Sequence, residues 1–572
     1  MYSTAARPID DYLRTMRMKK ALFLPVLALV LSTGWQSSST LFEYAKNLEI
    51  FNQLFRELGD NYVDEIPSGQ LIKTGIDAMM ARLDPYTNFF SEFQAEEALM
   101  ERQGEYGGVG CRTEMREDGY PVVSEVFPGY AFWEADVRCG DKLLKLGEID
   151  LKNASLEELR GFLRGAPGSR FDVSLEREGL TLVKSVVRAS VQTKSTSYSG
   201  LVPGPASSGP VGYIKLDEFG QKAAQEVGDR LKQLQSQGSL SGLILDLRGN
   251  GGGLLNEAVA IVGHFVGPEP VVVSVKGRNY KGPKEWRSPV PAIAPSLRLV
   301  VLIDDHSASA SEVVSGALQD LDRAVIAGQT SFGKGLVQNY VNLPYRTQMK
   351  LTTARYHTPS GRCIQKLDYG NRDAQGKATT KEASQIQSFK TKNGRTVFEA
   401  GGIKPDAFFD PTGGAAVVKR LQDQHLLFDW ATFEQNAYWK AHDRNQAFDS
   451  AAIMAHCDPN RLWASLLDYV QSEAYNRFKK QQIQALETLA LNEVQWKQYG
   501  GLWPSPAQYT GALLSEMNAA KKALLQEAQL DLLKRLMPSA SYSATALALD
   551  PEIAEARAIV STPERYQRFL VP

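Results

Sequence analysis

Three short stretches carry residue types that can do chemistry. Ser307-Ala308-Ser309-Ala310-Ser311-Glu312 stands directly after an apolar run and directly before a helical pattern. A serine at such a junction can present its hydroxyl where free N–H groups and the helix dipole favour developing negative charge. The plainer use of the same residue is a helix cap. Gly328-Gln329-Thr330-Ser331-Phe332-Gly333-Lys334-Gly335 satisfies G-x-x-x-x-G-K, yet Gly335 stands where a nucleotide-binding loop needs Ser or Thr. Residues 336–343 then have β-type composition where that loop needs a helix. A glycine-framed lysine, if partly desolvated, serves instead as a general base at neutral pH. Asp246-Leu247-Arg248-Gly249-Asn250-Gly251-Gly252-Gly253 is a glycine-rich turn that can aim N–H groups at an oxyanion, or can be a turn with no ligand. Together the three supply nucleophile, base and donors, the Ser-Lys variant of nucleophilic catalysis. A histidine base is the rival. His306 is too near Ser309 on a tight turn, whereas His264 and His357 stay open.

These stretches must be positioned by a frame, and the pattern from about 210 supplies one. Apolar runs at 211–216, 243–247, 297–303 and 324–327 alternate with helical patterns at 254–265 and 312–321. Buried strands alternating with helices argue an α/β core. Upstream, 104–190 reads as short strands (120–126, 171–176, 181–187) between Gly and Pro turns, with one helix after Ser155, whose Glu158 completes a capping-box pattern. Residues 41–103 are rich in helix formers, with Leu48, Phe51, Leu54, Phe55 and Leu58 at helical spacing, until Asp84-Pro85 breaks the run. Residues 366–400 are polar and read as an exposed excursion. Residues 411–572 are helical in pattern, with an apolar stripe through Leu513, Leu514, Met517, Leu524, Leu525, Ala528 and Leu532. That stripe reads as the core of a helical domain; a homo-oligomer surface is its second use.

The whole composition narrows the class. The chain has 572 residues, 43% hydrophobic and 23% charged, which excludes wholesale disorder and implies several domains. With 64 Lys+Arg against 65 Asp+Glu there is no global footprint for nucleic acid. Cys111, Cys139, Cys363 and Cys457 form no C-x-x-C pair, so no metal site is expected. Four unpaired thiols are the simpler reading, although Cys111 and Cys139 could bridge if the fold joins them. Met18-Lys19-Lys20 precedes an apolar run over 21–31, short for a spanning helix and suited to a secretory signal or N-terminal anchor. The polar residues before Met18 are unlike a signal and read as an extension from an upstream start.

The ordered motifs resemble the carboxyl-terminal processing proteases, also called tail-specific proteases. The likeness runs from about 45 to 410. Besides the three stretches above it includes Gly316-Ala-Leu-Gln-Asp320, Leu83-Asp-Pro-Tyr-Thr87, Gly107-Gly108-Val109-Gly110, Leu351-Thr-Thr-Ala354 and Pro359-Ser-Gly-Arg362. The resemblance implies an α/β multidomain fold: a spiral, crotonase-like peptidase core over 191–410, with an inserted PDZ domain over 104–190 and flanking helical regions. It implies Ser309 as nucleophile and Lys334 as general base, with Gln338 orienting the amine. An even separation on a strand would put Lys334 and Gln338 on one face. Ala310 and one of Gly251, Gly252 and Gly253 would furnish the oxyanion N–H groups. Gly107, Gly108, Val109 and Gly110 would hold a substrate's C-terminal carboxylate, the chain end adding as a strand. Gly140-Asp141-Lys142-Leu143-Leu144 matches the family's Gly-Asp turn, and the stretch to Gly147 is one residue shorter than usual. The expectation is therefore an exported, periplasmic serine endopeptidase without cofactor, acting on polypeptides through their C-termini. Its rivals are a silent PDZ scaffold and an α/β hydrolase for non-peptides. The helical region 411–572 lies outside the motifs.

Overall fold

The computed structural model describes residues 41–92, 94–96, 105–192, 194–203, 209–374, 376–409, 415–442, 448–487 and 504–572. The apolar segment over 21–31 lies outside the described residues. Among those described, no helix is long and apolar enough to cross a membrane. The chain divides into two compact units at Phe89/Phe90.

The first unit is helical, as its spacing predicts. Helix α1 covers 41–61 and α2 covers Ser68–Ala81. The Asp84 carboxylate then accepts from the N–H groups of Tyr86 and Thr87, which turns the chain where Asp-Pro breaks the pattern. Leu48, Phe51 and Leu54 keep their helical spacing but are exposed.

The second unit opens with a β-rich domain. Its elements are β1 (Glu105–Gly108), β2 (Cys111–Met115), β3 (Pro121–Val126), α3 (Ala131–Glu134), β4 (Lys142–Leu146), β5 (Ile149–Asp150), α4 (Leu156–Leu163), β6 (Arg170–Arg177), β7 (Leu180–Val187) and β8 (Ala189–Gln192). The sheet runs β2-β3-β4-β6-β7, with β5 on β4, and β1 pairs β8 separately. Ser155 and Glu158 form the reciprocal capping box at α4. The short Gly147 stretch is a tight hairpin pairing Leu146 with Ile149, and Gly147 takes φ 57°.

The peptidase-like core follows. It comprises β9 (Thr196–Leu201), β10 (Val211–Leu216), α5 (Ala223–Ser236), β11 (Gly242–Asp246), α6 (Leu255–Val266), β12 (Val271–Lys276), β13 (Lys284–Arg287), β14 (Leu299–Ile303), α7 (Ala310–Asp320), β15 (Val325–Gly328), β16 (Leu336–Asn342), β17 (Gln348–His357) and β18 (Ala407–Phe408). Strands β10, β11, β14, β15 and β18 are parallel neighbours in that order, with β9 antiparallel on the edge. Alternate residues of each strand face opposite sides. Leu243, Leu245, Val301 and Ile303 pack against α5, α6 and α7, while Ile244, Val300 and Leu302 enter a second cluster.

That second cluster is closed by the chain's last helices, which changes the expected domain plan. The helical region contains α8 (Ala415–Asp423), α9 (Leu426–Ala441), α10 (Ser450–His456), α11 (Pro459–Glu487), α12 (Pro506–Ala519), α13 (Lys521–Leu536), α14 (Ser539–Leu549), α15 (Pro551–Ser561) and α16 (Pro563–Arg568). Leu513, Met517, Leu524, Ala528 and Leu532 are buried inside this region, so the apolar stripe is consumed within the chain. Ile553, Ile559 and Val560 of α15, with Tyr566 and Leu570, instead cover the far face of the parallel sheet. Each such burial contributes about 1.5–3 kcal/mol. The expected boundary near 411 therefore separates sequence patterns, not packing layers.

The same helical region also grips the β-rich domain. Asp429 of α9 pairs with Arg116 at 3.1 Å, and Lys534 of α13 with Glu125 at 2.6 Å. The Gln435 side-chain amide donates to the Cys139 carbonyl at 3.0 Å. A side chain at Gly140 would meet Thr432 at 2.2 Å, so glycine permits the contact. The 366–400 segment also departs from the exposed excursion expected. It folds as two hairpins, Leu367–Arg372 with Ala378–Thr380 and Ser388–Lys390 with Thr396–Phe398. Thr391, Val397 and Glu399 are buried there, and Arg395 pairs with Asp322 and Asp406.

Candidate active site

The three chemical stretches leave the C-terminal ends of neighbouring parallel strands. The glycine-rich turn follows β11, the serine stretch follows β14 and the lysine loop follows β15. Parallel topology alone therefore gathers them at one edge of the sheet, the usual place for a site in such sheets.

Ser309 precedes α7 with φ 57° and ψ −110°, a backbone state costly for a residue with a Cβ. Strain of about 1–3 kcal/mol persists only when surroundings over-determine it. Here the determinant is Glu312, which is fully buried. One carboxylate oxygen accepts from the N–H of Ser309 at 2.8 Å and of Lys334 at 2.9 Å. The other accepts from the Gly333 N–H at 2.7 Å and the Ser331 hydroxyl at 2.6 Å. Burial pushes this carboxyl's pKa up, and the hydrogen bonds from Ser331, Lys334, Ser309 and Gly333 oppose that. Glu312 thus ties serine turn and lysine loop to one group. Ser309 was readable as a helix cap, but the role of Glu312 and its link to Lys334 were not.

The lysine loop is fixed at further points. Phe332 donates its N–H to Ser307 O at 3.0 Å, Gly335 donates to Gln365 Oε1 at 2.8 Å, and the Tyr356 hydroxyl donates to Lys334 O. Lys334 itself is half-buried. The opposite end of α7 is held by a fully buried pair, Arg362 with Asp320 at 2.8 Å.

The glycine-rich turn lies against the serine. A side chain at Gly252 would meet Ala308 O at 2.7 Å, Ser309 Cβ at 2.8 Å and Ala310 N at 2.9 Å, and Gly252 has φ 105°. Its own N–H donates to Asn250 Oδ1 at 2.9 Å. Gly251 and Gly253 flank Gly252 and are exposed, Gly253 lying against Phe219. Ala310 opens α7, so its N–H has no acceptor within the helix. Asn250, which sequence reading missed, organises this turn. It donates to Leu216 O at 2.9 Å and accepts from Ala308 N–H at 3.0 Å and the Ser311 hydroxyl at 2.8 Å. No signal besides its place among the glycines pointed to it.

Gln338 is placed differently from the parity argument. Lys334 lies before β16 begins, and the ladder slips between Val337 and Gln338. Even spacing therefore does not put the two side chains on one face. The Gln338 amide donates to Thr352 Oγ1 at 3.4 Å.

The histidines stand elsewhere. His264 is buried with Nε2 against Ala224 O at 2.7 Å, and burial lowers its pKa. His357 pairs with Ser274 across the ladder, and its pKa is lowered by burial. His306 is exposed beside Asp305 at 2.8 Å. Asp304, Asp305 and His306 bring three ligand-type atoms together, but Asp304 already accepts from Gly249, His306 and Ser307. The four cysteines are unbonded thiols, and burial with Cys139 nearby pushes Cys111 up to about 12.

In the β-rich domain the glycine stretch splits in two. Gly107 and Gly108 belong to β1 and pair with Ser190 and Ala189. A side chain at Gly107 would lie 1.9 Å from Gly165 O, so the close approach demands glycine. Val109 and Gly110 form the approach to β2, their carbonyls accepting from Phe132 and Phe127 at 2.9 Å each. Among the described residues β2 has no strand on its outer side.

The family model for peptidase family S41 matches residues 210–373. The chain is 31% identical over 349 residues to a carboxy-terminal-processing protease of Bartonella bacilliformis, covering 60% of this chain and 78% of that one. It is 32% identical over 373 residues to a carboxyl-terminal-processing protease of Picosynechococcus, covering 61% and 88%. Among solved structures, the photosystem II D1 C-terminal processing protease aligns at 25% identity and a TM-score of 0.36, over 64% of this chain and 93% of that one.

Proposed function

Since this chain belongs to the carboxyl-terminal processing proteases of peptidase family S41, a family of serine-type proteases, we propose that it is an endopeptidase with a Ser309–Lys334 dyad. Ser309 Oγ attacks the scissile carbonyl while Lys334 Nζ takes its proton. The oxyanion meets the N–H groups of Ala310 and of Gly251 or Gly253. The protonated lysine then gives a proton to the leaving amine. A water, deprotonated by the same lysine, releases the acyl group and regenerates Ser309. The observation that carries this reading is the shared Glu312 oxygen, which binds the N–H of both Ser309 and Lys334. Gln338, bonded to Thr352, lies on β16 just after the lysine loop, and its role in orienting the amine is carried by the family resemblance alone.

Substrate capture falls to the β-rich domain, as a PDZ domain. A polypeptide C-terminus would add to the open edge of β2, its carboxylate at the Val109-Gly110 approach. The apolar run over 21–31 would direct export to the periplasm, by a cleaved signal or an anchor.

The test is turnover of an unfolded polypeptide by wild type, Ser309→Ala and Lys334→Ala. Only wild type should cleave, and blocking the substrate's C-terminal carboxylate as an amide should raise KM. Equal cleavage by all three would remove the dyad. No cleavage by wild type would favour a silent scaffold.

A further inference from the structure

The guanidinium of Arg248, at the start of the glycine-rich turn, is held by the far end of the chain. Asp246 ends β11 and is 1% exposed. It takes bonds from Arg248 Nε at 3.1 Å and Nη2 at 2.6 Å, from the Tyr213 hydroxyl at 2.7 Å and from Lys215 at 3.3 Å. The rest of the guanidinium faces α15. Nη2 pairs with Asp550 at 2.8 Å and Nη1 with Glu552 at 2.7 Å. Three carboxylates therefore occupy one planar fork, which fixes its direction as a lysine could not.

The backbone of the same residue opens the turn. Arg248 N–H donates to Asp246 at 2.9 Å, Arg248 O accepts from Lys215, and the Gly249 N–H donates to Asp304 at 2.9 Å. Arg248 thus leads straight into the turn in which a side chain at Gly252 would meet Ser309 Cβ at 2.8 Å. Asp550 is itself tied down, as the cap of α15, accepting from Glu552 and Ile553 N–H groups. Helix α15 is anchored on the sheet by its apolar face.

We propose that Asp550 and Glu552 are positioning residues for peptide hydrolysis, holding the oxyanion turn in register with Ser309 through Arg248. This rests on the reading of that turn as the oxyanion site. The helical tail is then a working part of the peptidase and more than a cover.

The experiment uses the full chain with Asp550→Asn and Glu552→Gln, singly and together. Asn caps a helix as well as Asp does, so the cap is kept while the charge is removed. The readouts are kcat, KM, melting temperature, and the inhibition constant of a peptide boronic acid whose tetrahedral adduct occupies the oxyanion site. For the double variant we expect kcat to fall about tenfold, a fraction of the loss from deleting an oxyanion donor. The boronate constant should rise by a like factor, with KM and melting temperature nearly unchanged. Wild-type kcat and boronate affinity in the double variant would overturn the inference. So would a loss that follows melting temperature or KM alone. A wild-type chain without Ser309-dependent turnover would instead remove the underlying reading, so the two failures are distinct.

Discussion

Helices α7 and α15 are each eleven residues long and lie on opposite faces of one sheet. Both point an N-terminus towards the glycine-rich turn, yet the two ends are built in opposite ways. Every residue of α7 is buried, and its cap position, Ser309, is strained. Only part of α15 is buried, and its cap, Asp550, sits in a relaxed extended conformation with its carboxylate on two N–H groups. The first end holds its serine in a conformation that costs local stability. The second spends an ordinary cap on stability and also meets Arg248. A strained terminus is sustainable where a buried carboxylate such as Glu312 and a covered sheet hold it; α15 furnishes part of that cover.

The contrast is open to attack at several points. The largest effect is expected from Gly252→Ala, which puts a methyl onto Ser309 and Ala310 at a positive φ. Turnover should fall by about two orders of magnitude or more, the size of losing an oxyanion donor, while binding of a C-terminal peptide is kept. Wild-type turnover would show that the turn does not crowd the serine. Glu312→Gln comes next. A side-chain amide cannot accept from four donors, and one unsatisfied buried donor costs about 1–3 kcal/mol. Thermal stability and kcat should fall together, whereas removing a cap residue at α15 (Asp550→Ala) should cost about 1 kcal/mol. Equal losses at the two caps would erase the difference drawn between them.

Ile559→Ala removes cover from the far face of the sheet. It should cost about 2–5 kcal/mol in denaturant unfolding, with kcat per folded molecule intact. If the core unfolds unchanged while only the tail loosens, the tail is not a layer of the core.

The smallest effect at neutral pH is an acid sensitivity within the tail. Glu434 is buried, which alone would raise its pKa, but hydrogen bonds from His456, Arg461 and Ser465 bring it down to about 2. A carboxylate lowered in the folded state stabilises above its ordinary pKa and loses that contribution as pH falls. The loss should run from about pH 4.5 to about pH 2 and reach roughly 3 kcal/mol. Glu434→Gln should flatten the stability profile over that window. An unchanged slope would place the acid-sensitive group elsewhere, with Asp246 the alternative, since its arginine and lysine partners outweigh burial and hold it well below the usual range.

Much of the core was legible because its signals are local. A strand over 211–216 appears with those bounds, and those over 243–247 and 324–327 within a residue at each end, since continuous β-branched and Leu runs bury both faces. The Ser155 capping box was equally plain. Reading failed where a distant partner decides. The polar 366–400 segment folds because Arg395 finds Asp322 and Asp406. Gln338 escaped the parity argument because a ladder slip is a property of two strands. The tail gave a helical period but no hint that Ile553, Ile559 and Val560 face strands lying between Val211 and Ala327, far upstream in the chain.

The sequence by itself determined the order of chemical groups along the chain. A serine stretch, a glycine-framed lysine and a glycine turn each follow an apolar run, because residue type and short-range period act within a few residues. Tertiary structure decided what those groups share. Parallel strand order brought their loops to one edge, burial surrounded the Glu312 carboxylate with four protein donors, and the last helices closed the sheet's second face. Such choices depend on which surfaces exclude water together, and that is settled only when segments far apart in the chain pack.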